Sequence, residues 1–148
     1  MRIESTATVY DSARVYGSAR VGGEGDISAQ HHVAWVDRVG SGRSMTLHRI
    51  RRDGGFGWRI NSGCCHFEAD TIDAVCAAVR ANVAAGPDEW ADEDEATRAR
   101  WAPQVDAALT FLASMCWDDT ITAPLLEWNE DAITTAFGGG SIKETSDG

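Results

Sequence analysis

The chain of 148 residues is long enough to bury one hydrophobic core, so its length predicts one compact domain. The formal net charge of −10 disfavours non-specific binding to nucleic acid and to anionic membranes, since both are negatively charged. No apolar run approaches the roughly 20 residues of a membrane-spanning helix and no secretory signal is recognised, which predicts a cytoplasmic protein without a membrane partner.

The charge is divided unequally along the chain. Residues 1–61 contain nine arginines and six acidic residues, whereas residues 62–148 contain four basic and seventeen acidic residues. An anionic ligand is therefore expected at the first part of the chain. The four cysteines are expected to be reduced thiols, because the cytosol keeps most disulfides open.

A β-branched residue recurs at every sixth position near the start of the chain. Small residues precede it and Gly or Asp often follows it, which favours a sharp bend after each short strand. Three such strands complete one turn of a triangular β-solenoid, so residues 3–43 are predicted to form a short hexapeptide-type β-coil. The stacked positions would be Ile3 on Val21 and Val39, Val9 on Ile27, and Val15 on Val33. A long edge hairpin with chance periodicity is the alternative.

A β-hairpin is predicted over residues 44–67. Ser44–Arg51 and Phe56–Asn61 alternate between apolar and polar residues around Asp53-Gly54-Gly55, which is typical of a tight turn. A coil of barely two turns cannot stand alone, so either this hairpin or a second copy of the chain is expected to cover its open edge. We therefore expect a homo-oligomer.

Helical spacing begins at Asp70, and about three helices are predicted over residues 70–137. The first would begin at Asp70 or Thr71 and end at Gly86-Pro87. Pro103 is expected to break a second helical region or to begin a new helix, and a further helix is expected from about residue 124 to 137. The fold class is thus α+β, with one domain over residues 1–140 and a disordered tail over residues 141–148.

The opening TATVYDSARVYGSARVGG resembles the hexapeptide segments of left-handed β-helix proteins. Its continuation, VGSGRSMTLHRIRRDGGFGWRINSGCCHF before a helix, is similar to small proteins encoded by bacteriophages and actinobacteria, a family without an established activity. The resemblance covers roughly residues 7–115, with Gly40-Ser41 and Gly63-Cys64 as its most specific parts. The repeat loses its regularity after Gly25, and the last thirty residues have no counterpart in the resemblance.

Arginine and aromatic residues are concentrated in and beside the predicted hairpin. Guanidinium groups bind phosphate with two hydrogen bonds, and aromatic rings stack on bases, so a nucleotide-like ligand is predicted. The predicted ligand-binding residues are Trp35, Arg38, Arg43, His48, Arg49, Arg51 and Trp58. The alternative is that these arginines pair with the acidic stretch that contains Asp88, Glu89, Asp92, Glu93, Asp94 and Glu95.

No catalytic residue, cofactor or metal ligand is predicted outright. A zinc site built from Cys64, His66 and His48 is a weaker alternative, because adjacent Cys64 and Cys65 are a poor chelating pair. A Cys/His nucleophilic pair is a second alternative, and a His31 or His32 base like that of hexapeptide acyltransferases is a third.

The functional hypothesis is a non-catalytic, phage-type accessory protein that counters host defence in the bacterial cytoplasm. It would sequester a nucleotide-like signal through the arginine-rich hairpin, or block a basic host protein through its acidic stretch. The alternatives are an enzyme with Cys/His or acyltransferase-like chemistry and a purely structural oligomer.

Overall fold

The computed structural model describes residues 1–119 apart from Ser5, Ser12 and Cys64. It is a mixed α+β protein, as the residue pattern predicts. The chain divides into two units, Met1–Trp117 and Asp118–Gly148, and all the elements below belong to the first. The predicted helix at about 124–137, the tail and the domain limit at residue 140 lie outside the described residues and remain predictions.

Four two-residue strands form the start of the chain. The first, β1 (Arg2–Ile3), pairs in parallel with β3 (Arg20–Val21), and β2 (Thr8–Val9) pairs in parallel with β4 (Asp26–Ile27). Ile3 lies opposite Val21 and Val9 opposite Ile27, which are partners that the spacing of six predicts. We call residues 1–29 the N-terminal segment. Its Val21 and Ile27 form a small apolar cluster with Val33, the first residue of the next strand, and Ala7, Val9, Ala13 and Val15 pack against this cluster.

A four-stranded antiparallel sheet follows. Its strands are β5 (Val33–Val39), β6 (Arg43–Arg52), β7 (Gly55–Ser62) and β8 (Cys65–Ala69), paired in that order. The hairpin of β6 and β7 turns at Asp53 and Gly54, both with positive φ, close to the predicted bounds. The strand β8 was not predicted, because CHFEA is short and lies beside a Gly-Cys turn.

Residues 33–39, which the spacing of six places in the coil, belong to the antiparallel sheet. The residues of β5 pair antiparallel with β6, so Val39 lies opposite Arg43 and does not stack on Val21. Arg38, Gly40 and Gly42 have positive φ and reverse the chain here, which the spacing of six does not reveal. The prediction for Val39 was therefore wrong.

Two α-helices cover one face of the sheet. In α1 (Ile72–Ala85), Thr71 is the N-cap and its side chain accepts from the Ala74 N–H at 3.0 Å, and Gly86 ends the helix with φ 84°. Both ends agree with the prediction.

The second helix, α2 (Glu95–Met115), runs through Pro103 without a break, so the predicted interruption was wrong. Pro103 has no N–H and so removes one helical hydrogen bond. The packing of Val105, Leu109 and Leu112 in the main core offsets this loss of stability. No helix in the described range 1–119 has the length and apolar character to cross a membrane.

The two faces of the sheet pack against different partners. On one face, Leu47, Trp58 and Ile60 join Val79 and Leu109 of the helices in the main hydrophobic core. The alternate positions of β6 and β7 point the other way, towards the N-terminal segment. The sheet therefore separates the helices from the short parallel strands.

Polar side chains join the sheet to the backbone of the N-terminal segment. Thr46 Oγ1 accepts from the Arg20 N–H at 3.0 Å, and Asn61 Nδ2 donates to the Arg20 carbonyl at 2.9 Å. His48 Nε2 accepts from the Gly22 N–H at 3.2 Å and from Asn61 Nδ2 at 3.0 Å. Buried polar groups need such partners, so these residues serve the packing of two parts of the fold.

The buried His48 predicts a pH-dependent stability. Its Nδ1 donates to the Arg49 carbonyl at 3.0 Å while Nε2 accepts, so the neutral ring satisfies the site. Burial lowers the pKa of His48 from 6.5 to about 4. The unfolded chain therefore binds this proton at a higher pH than the folded chain, and stability present above pH 6.5 is lost as the pH falls towards 4.

We expect the free energy of unfolding to fall by about 2 kcal/mol between about pH 7.5 and about pH 5 because of this one side chain. Urea denaturation at the two pH values measures the change. A His48→Gln variant should lose most of the dependence, and a His66→Gln variant, altered at an exposed histidine, should keep it. Equal pH dependence in the two variants would contradict the role given to His48.

Candidate anion-binding groove

Three of the four predicted ligand-binding arginines are ion-paired within the fold, and two of them, Arg49 and Arg51, share the carboxylate of Asp26. Arg49 Nη2 lies 2.7 Å from Asp26 Oδ1, Arg49 Nε donates to the Asp26 carbonyl at 2.9 Å, and the guanidinium carbon is 3.8 Å from the centre of the Phe56 ring. Arg51 reaches Asp26 Oδ2 at 3.2 Å and Glu24 Oε2 at 2.9 Å. The carboxylate partners of Arg49 and Arg51 come from the N-terminal segment and not from the acidic stretch.

The carboxylate of Asp26 is the centre of this network. Burial by itself would raise its pKa, but hydrogen bonds from Tyr10, Arg49 and Arg51 outweigh burial and lower the pKa. The side chain of Arg49 is only 5 % exposed and that of Asp26 10 %. The Arg49–Asp26 pair is therefore a buried structural element, whereas Arg51 and Glu24 lie at its exposed edge.

The predicted aromatic residues do not join the arginines. Trp58 is fully buried in the main core. Trp35 makes an edge contact with Tyr16, with ring centres 4.9 Å apart, in a cleft that it shares with Phe111 and Met115 of α2. The expected stacking platform beside the arginines is thus not formed, because alternation along the strands sends these rings to other places.

Arg38 and Arg43 lie together at the end of β5 and the start of β6. Arg38 is exposed and has φ 60°, at a bulge where the pairing of β5 with β6 shifts between Val36 and Val39. A positive φ is costly for a residue with a side chain, and bulges often redirect side chains near binding sites. Arg43 Nη1 lies 3.2 Å from Glu89 Oε2, which is the pairing with the acidic stretch that the alternative expected.

Two further arginines, which were not predicted, complete this surface. Arg2 on β1 and Arg20 on β3 lie directly opposite each other in the parallel pair, and both are exposed. Arg20 Nη1 contacts the Gly63 carbonyl at 3.4 Å. In the described part of the chain no carboxylate lies within salt-bridge distance of Arg2, Arg20 or Arg38.

The sequence contains a signal for these residues. Arg2, Arg20 and Arg38 each stand one position before Ile3, Val21 and Val39, so they repeat at intervals of three hexapeptides. Reading the polar positions of the repeat as well as the apolar ones would have placed Arg2 beside Arg20.

The arginines surround two adjoining cavities. The larger has a volume of about 650 Å³ and is lined by Ser18, Arg20, Asp37, Arg38, Gly42, Arg43, Ser44 and Gly63. The smaller has a volume of about 280 Å³ and is lined by Arg2, Glu4, Arg20, Val21, Gly22, Arg59, Asn61, Gly63, Cys65 and His66. We call the two cavities with Arg2, Arg20, Arg38 and Arg43 the arginine groove.

Gly63 lies where the two cavities meet. Its φ is 60°, which disfavours a residue with a side chain, and the guanidinium of Arg43 passes directly over it. The Gly-Cys turn singled out in the sequence thus allows Arg43 and Arg20 to approach the same backbone.

The carboxylates of the groove are held by hydrogen bonds. Asp37 accepts from the Ser18 hydroxyl in the larger cavity. Glu4 accepts from the Gly23 N–H at 2.8 Å in the smaller one, and this backbone bond is the main cause of its lowered pKa. Arg59 pairs with Glu68 at 3.2 Å. Positive charge still prevails in both cavities.

The geometry gives little support to a zinc site at Cys64, His66 and His48 or to a Cys/His nucleophilic pair. Both ring nitrogens of His48 are hydrogen-bonded, and Cys64 lies outside the described residues. Cys65 and His66 are consecutive in β8, so their side chains leave opposite faces of the strand, and Cys65 Sγ is 3.7 Å from Glu89 Oε2.

The two histidines considered as acyltransferase bases have structural contacts. His32 Nδ1 accepts from the Ser28 and Ala29 N–H groups at 3.2 and 3.1 Å, and His32 is buried. His31 stacks on Trp117 with ring centres 4.6 Å apart. These contacts fix the turn at residues 30–32 between the N-terminal segment and β5.

The described unit is thus an α+β protein whose antiparallel sheet carries helices on one face and a parallel-stranded segment with an arginine-lined groove beside the other. No family model, no curated protein and no solved structure matches the chain.

Proposed function

We propose that the protein is a non-catalytic binding protein that sequesters a phosphorylated, nucleotide-like ligand in the arginine groove. The observation that carries this proposal is that Arg2, Arg20 and Arg38 line two cavities and that, among the described residues, none of the three forms a salt bridge, although Asp37 and Glu4 also line these cavities. Of the predicted arginines, Arg49 and Arg51 are already paired with Asp26 and Glu24, and Arg43 is paired with Glu89.

The pairing of Arg2 with Arg20 supports an anionic ligand on energetic grounds. Like charges directly opposite each other on neighbouring strands destabilise a sheet, and these strands lie about 4.8 Å apart. Phosphate oxygens that bridge the two guanidinium groups would remove this repulsion. The hydroxyls of Ser18 and Ser44 also line the larger cavity, but they donate to Asp37 and to the Ser18 carbonyl, so the arginines would provide the donors to a phosphate.

The volume of the larger cavity supports a ligand of nucleotide size. At about 650 Å³ it falls within the range typical of small-molecule sites. The lining contains three arginines, one carboxylate at Asp37, serine and glycine but no aromatic ring, so phosphate groups and not base stacking would provide most of the affinity.

We expect Arg20→Ala to weaken binding of a nucleoside triphosphate about 10- to 100-fold, because a charge-assisted contact shared by both cavities is lost. Isothermal titration calorimetry at low ionic strength measures the affinity, and added salt should weaken it. Unchanged affinity in this variant would remove the groove as the binding site.

Arg14→Ala is the matched control for this experiment. Arg14 is also exposed and also precedes a repeat valine, Val15, but it lines the separate cleft beside Trp35. The control should bind the nucleotide as the unchanged protein does. Thermal denaturation of both variants shows whether either substitution disturbs the fold.

Three further features are proposed: a hexapeptide-type coil, a homo-oligomer and an anti-defence role. We propose that the N-terminal segment is a short hexapeptide-type coil, supported by parallel partners 18 residues apart. The exposure of Ile3, Tyr10 and Tyr16 on this segment supports a homo-oligomer. The resemblance to phage and actinobacterial proteins supports an accessory, anti-defence role in the bacterial cytoplasm.

A second form of the anti-defence role is that the protein binds and blocks a basic host protein. Most of the acidic side chains between Asp88 and Glu95 are exposed, and Glu89 pairs with Arg43. The remaining carboxylates of that stretch give an acidic surface near the start of α2, which would suit a basic partner.

A further inference from the structure

We infer that the ligand of the arginine groove carries two separate phosphate groups, one on each side of Arg20. This inference rests on the proposed function and makes the ligand class narrower: a bisphosphorylated nucleotide, with cyclic dinucleotides included. It follows from how the two cavities share their residues.

Arg20 occupies the boundary between the cavities. Arg20 and Gly63 are the residues that line both of them. The Arg20 guanidinium is directed to this boundary by its contact with the Gly63 carbonyl at 3.4 Å. A ligand that binds Arg20 therefore has room to extend in two directions.

Each cavity supplies an arginine of its own beside the shared one. Arg38 lines the larger cavity and Arg2 the smaller, and in the described residues neither has a carboxylate within salt-bridge distance. Arg43 and Arg59 add positive charge but are paired with Glu89 and Glu68. Glu4 and Asp37 balance part of this charge, and the remaining excess of arginine on both sides of Arg20 favours a ligand with more than one anionic group.

The unequal volumes of the two cavities indicate which one holds the nucleoside and which one holds only a phosphate. The larger cavity, about 650 Å³, accommodates a nucleoside with one phosphate. The smaller one, about 280 Å³, is lined by Arg2, Glu4, Arg59 and Asn61 and accommodates a second phosphate.

Linking two phosphates in one molecule also raises the affinity of the ligand for the groove. Once the first group is bound, the second binds at a high effective concentration, so two modest contacts give a much higher affinity than either one alone. In a diphosphate the two groups share a bridging oxygen, so both would lie close to Arg20, and we expect neither to reach Arg2 or Arg38 as well as a separate phosphate does.

The test compares adenosine 5′-monophosphate, adenosine diphosphate, adenosine 3′,5′-bisphosphate and a cyclic dinucleotide by calorimetric titration. We expect the bisphosphate or the cyclic dinucleotide to bind at least about 10-fold more tightly than the diphosphate, whose two phosphates are joined. Arg2→Ala and Arg38→Ala should each reduce that tighter affinity to about that of the monophosphate, and Arg14→Ala should leave it unchanged.

The failures of the two proposals are distinguishable. If the monophosphate or diphosphate binds as tightly as the separated phosphates, or if Arg2→Ala has no effect, the two-phosphate inference is wrong while the groove remains a phosphate site. If none of the four ligands binds to the unchanged protein, the proposed function is wrong as well. Thermal denaturation of each variant confirms that it is folded.

Discussion

Asp26→Asn should lower the free energy of unfolding by about 3–5 kcal/mol. The substitution removes the negative charge that balances Arg49, whose side chain is 5 % exposed, and it weakens the second bond to Arg51. An uncompensated buried guanidinium is costly, because it loses its hydration without gaining a counter-charge. Urea denaturation monitored by tryptophan fluorescence measures the loss.

Glu24→Gln is the matched control for Asp26→Asn. Glu24 binds the same Arg51 at 2.9 Å, but its side chain is 57 % exposed, so the loss should stay below about 1 kcal/mol. Arg49→Met in the Asp26→Asn background should recover part of the stability, because the unbalanced charge is then removed. If Asp26→Asn and Glu24→Gln lower the free energy of unfolding equally, Arg49 and Asp26 do not form a buried ion pair.

Trp58→Ala should also cost about 3–5 kcal/mol of unfolding free energy. Trp58 is fully buried among Leu47, Ile60 and the helices, so its removal leaves a large cavity in the main core. The sequence predicted that Trp58 binds a ligand. A core role predicts that Trp58→Ala lowers stability, whereas a binding role predicts that it lowers affinity. Denaturation with urea separates them, since a binding residue would affect affinity more than stability.

Phe56→Ala is the comparison for Trp58→Ala. Phe56 is an aromatic residue of the same strand, but it is 51 % exposed and covers Arg49, so we expect a loss of about 1 kcal/mol. Trp58→Phe, which keeps most of the apolar volume, should fall between the two. A loss of less than about 1 kcal/mol for Trp58→Ala would contradict its placement in the core.

The elements set by local spacing were predictable from the sequence. The apolar face of α1, its Thr71 cap and its Gly86 end follow from residues within a few positions of each other. The turn at Asp53 and Gly54 follows in the same way. The parallel partners Ile3 with Val21 and Val9 with Ile27 also follow, because a repeat of six places every third repeat on the same side.

The candidate site was only partly predictable. Arg38 and Arg43 line the arginine groove as predicted residues, whereas Arg49 and Arg51 belong to the Asp26 network. Charge composition placed the arginines in the first part of the chain but could not separate ion-paired side chains from those facing a cavity. The partner of Arg49 lies twenty-three residues away, and no local pattern connects these positions.

The sequence by itself determined the α+β class, the hairpin, the first helix and the regular positions of the N-terminal segment, since each depends on residues close together in the chain. Only the tertiary structure decided that Val33–Val39 joins the antiparallel sheet, that Trp58 is a core residue, and that Arg2 and Arg20 line the groove. The physical reason is that alternation shows that side chains face two sides of a strand, but which partner covers each side depends on contacts between distant residues.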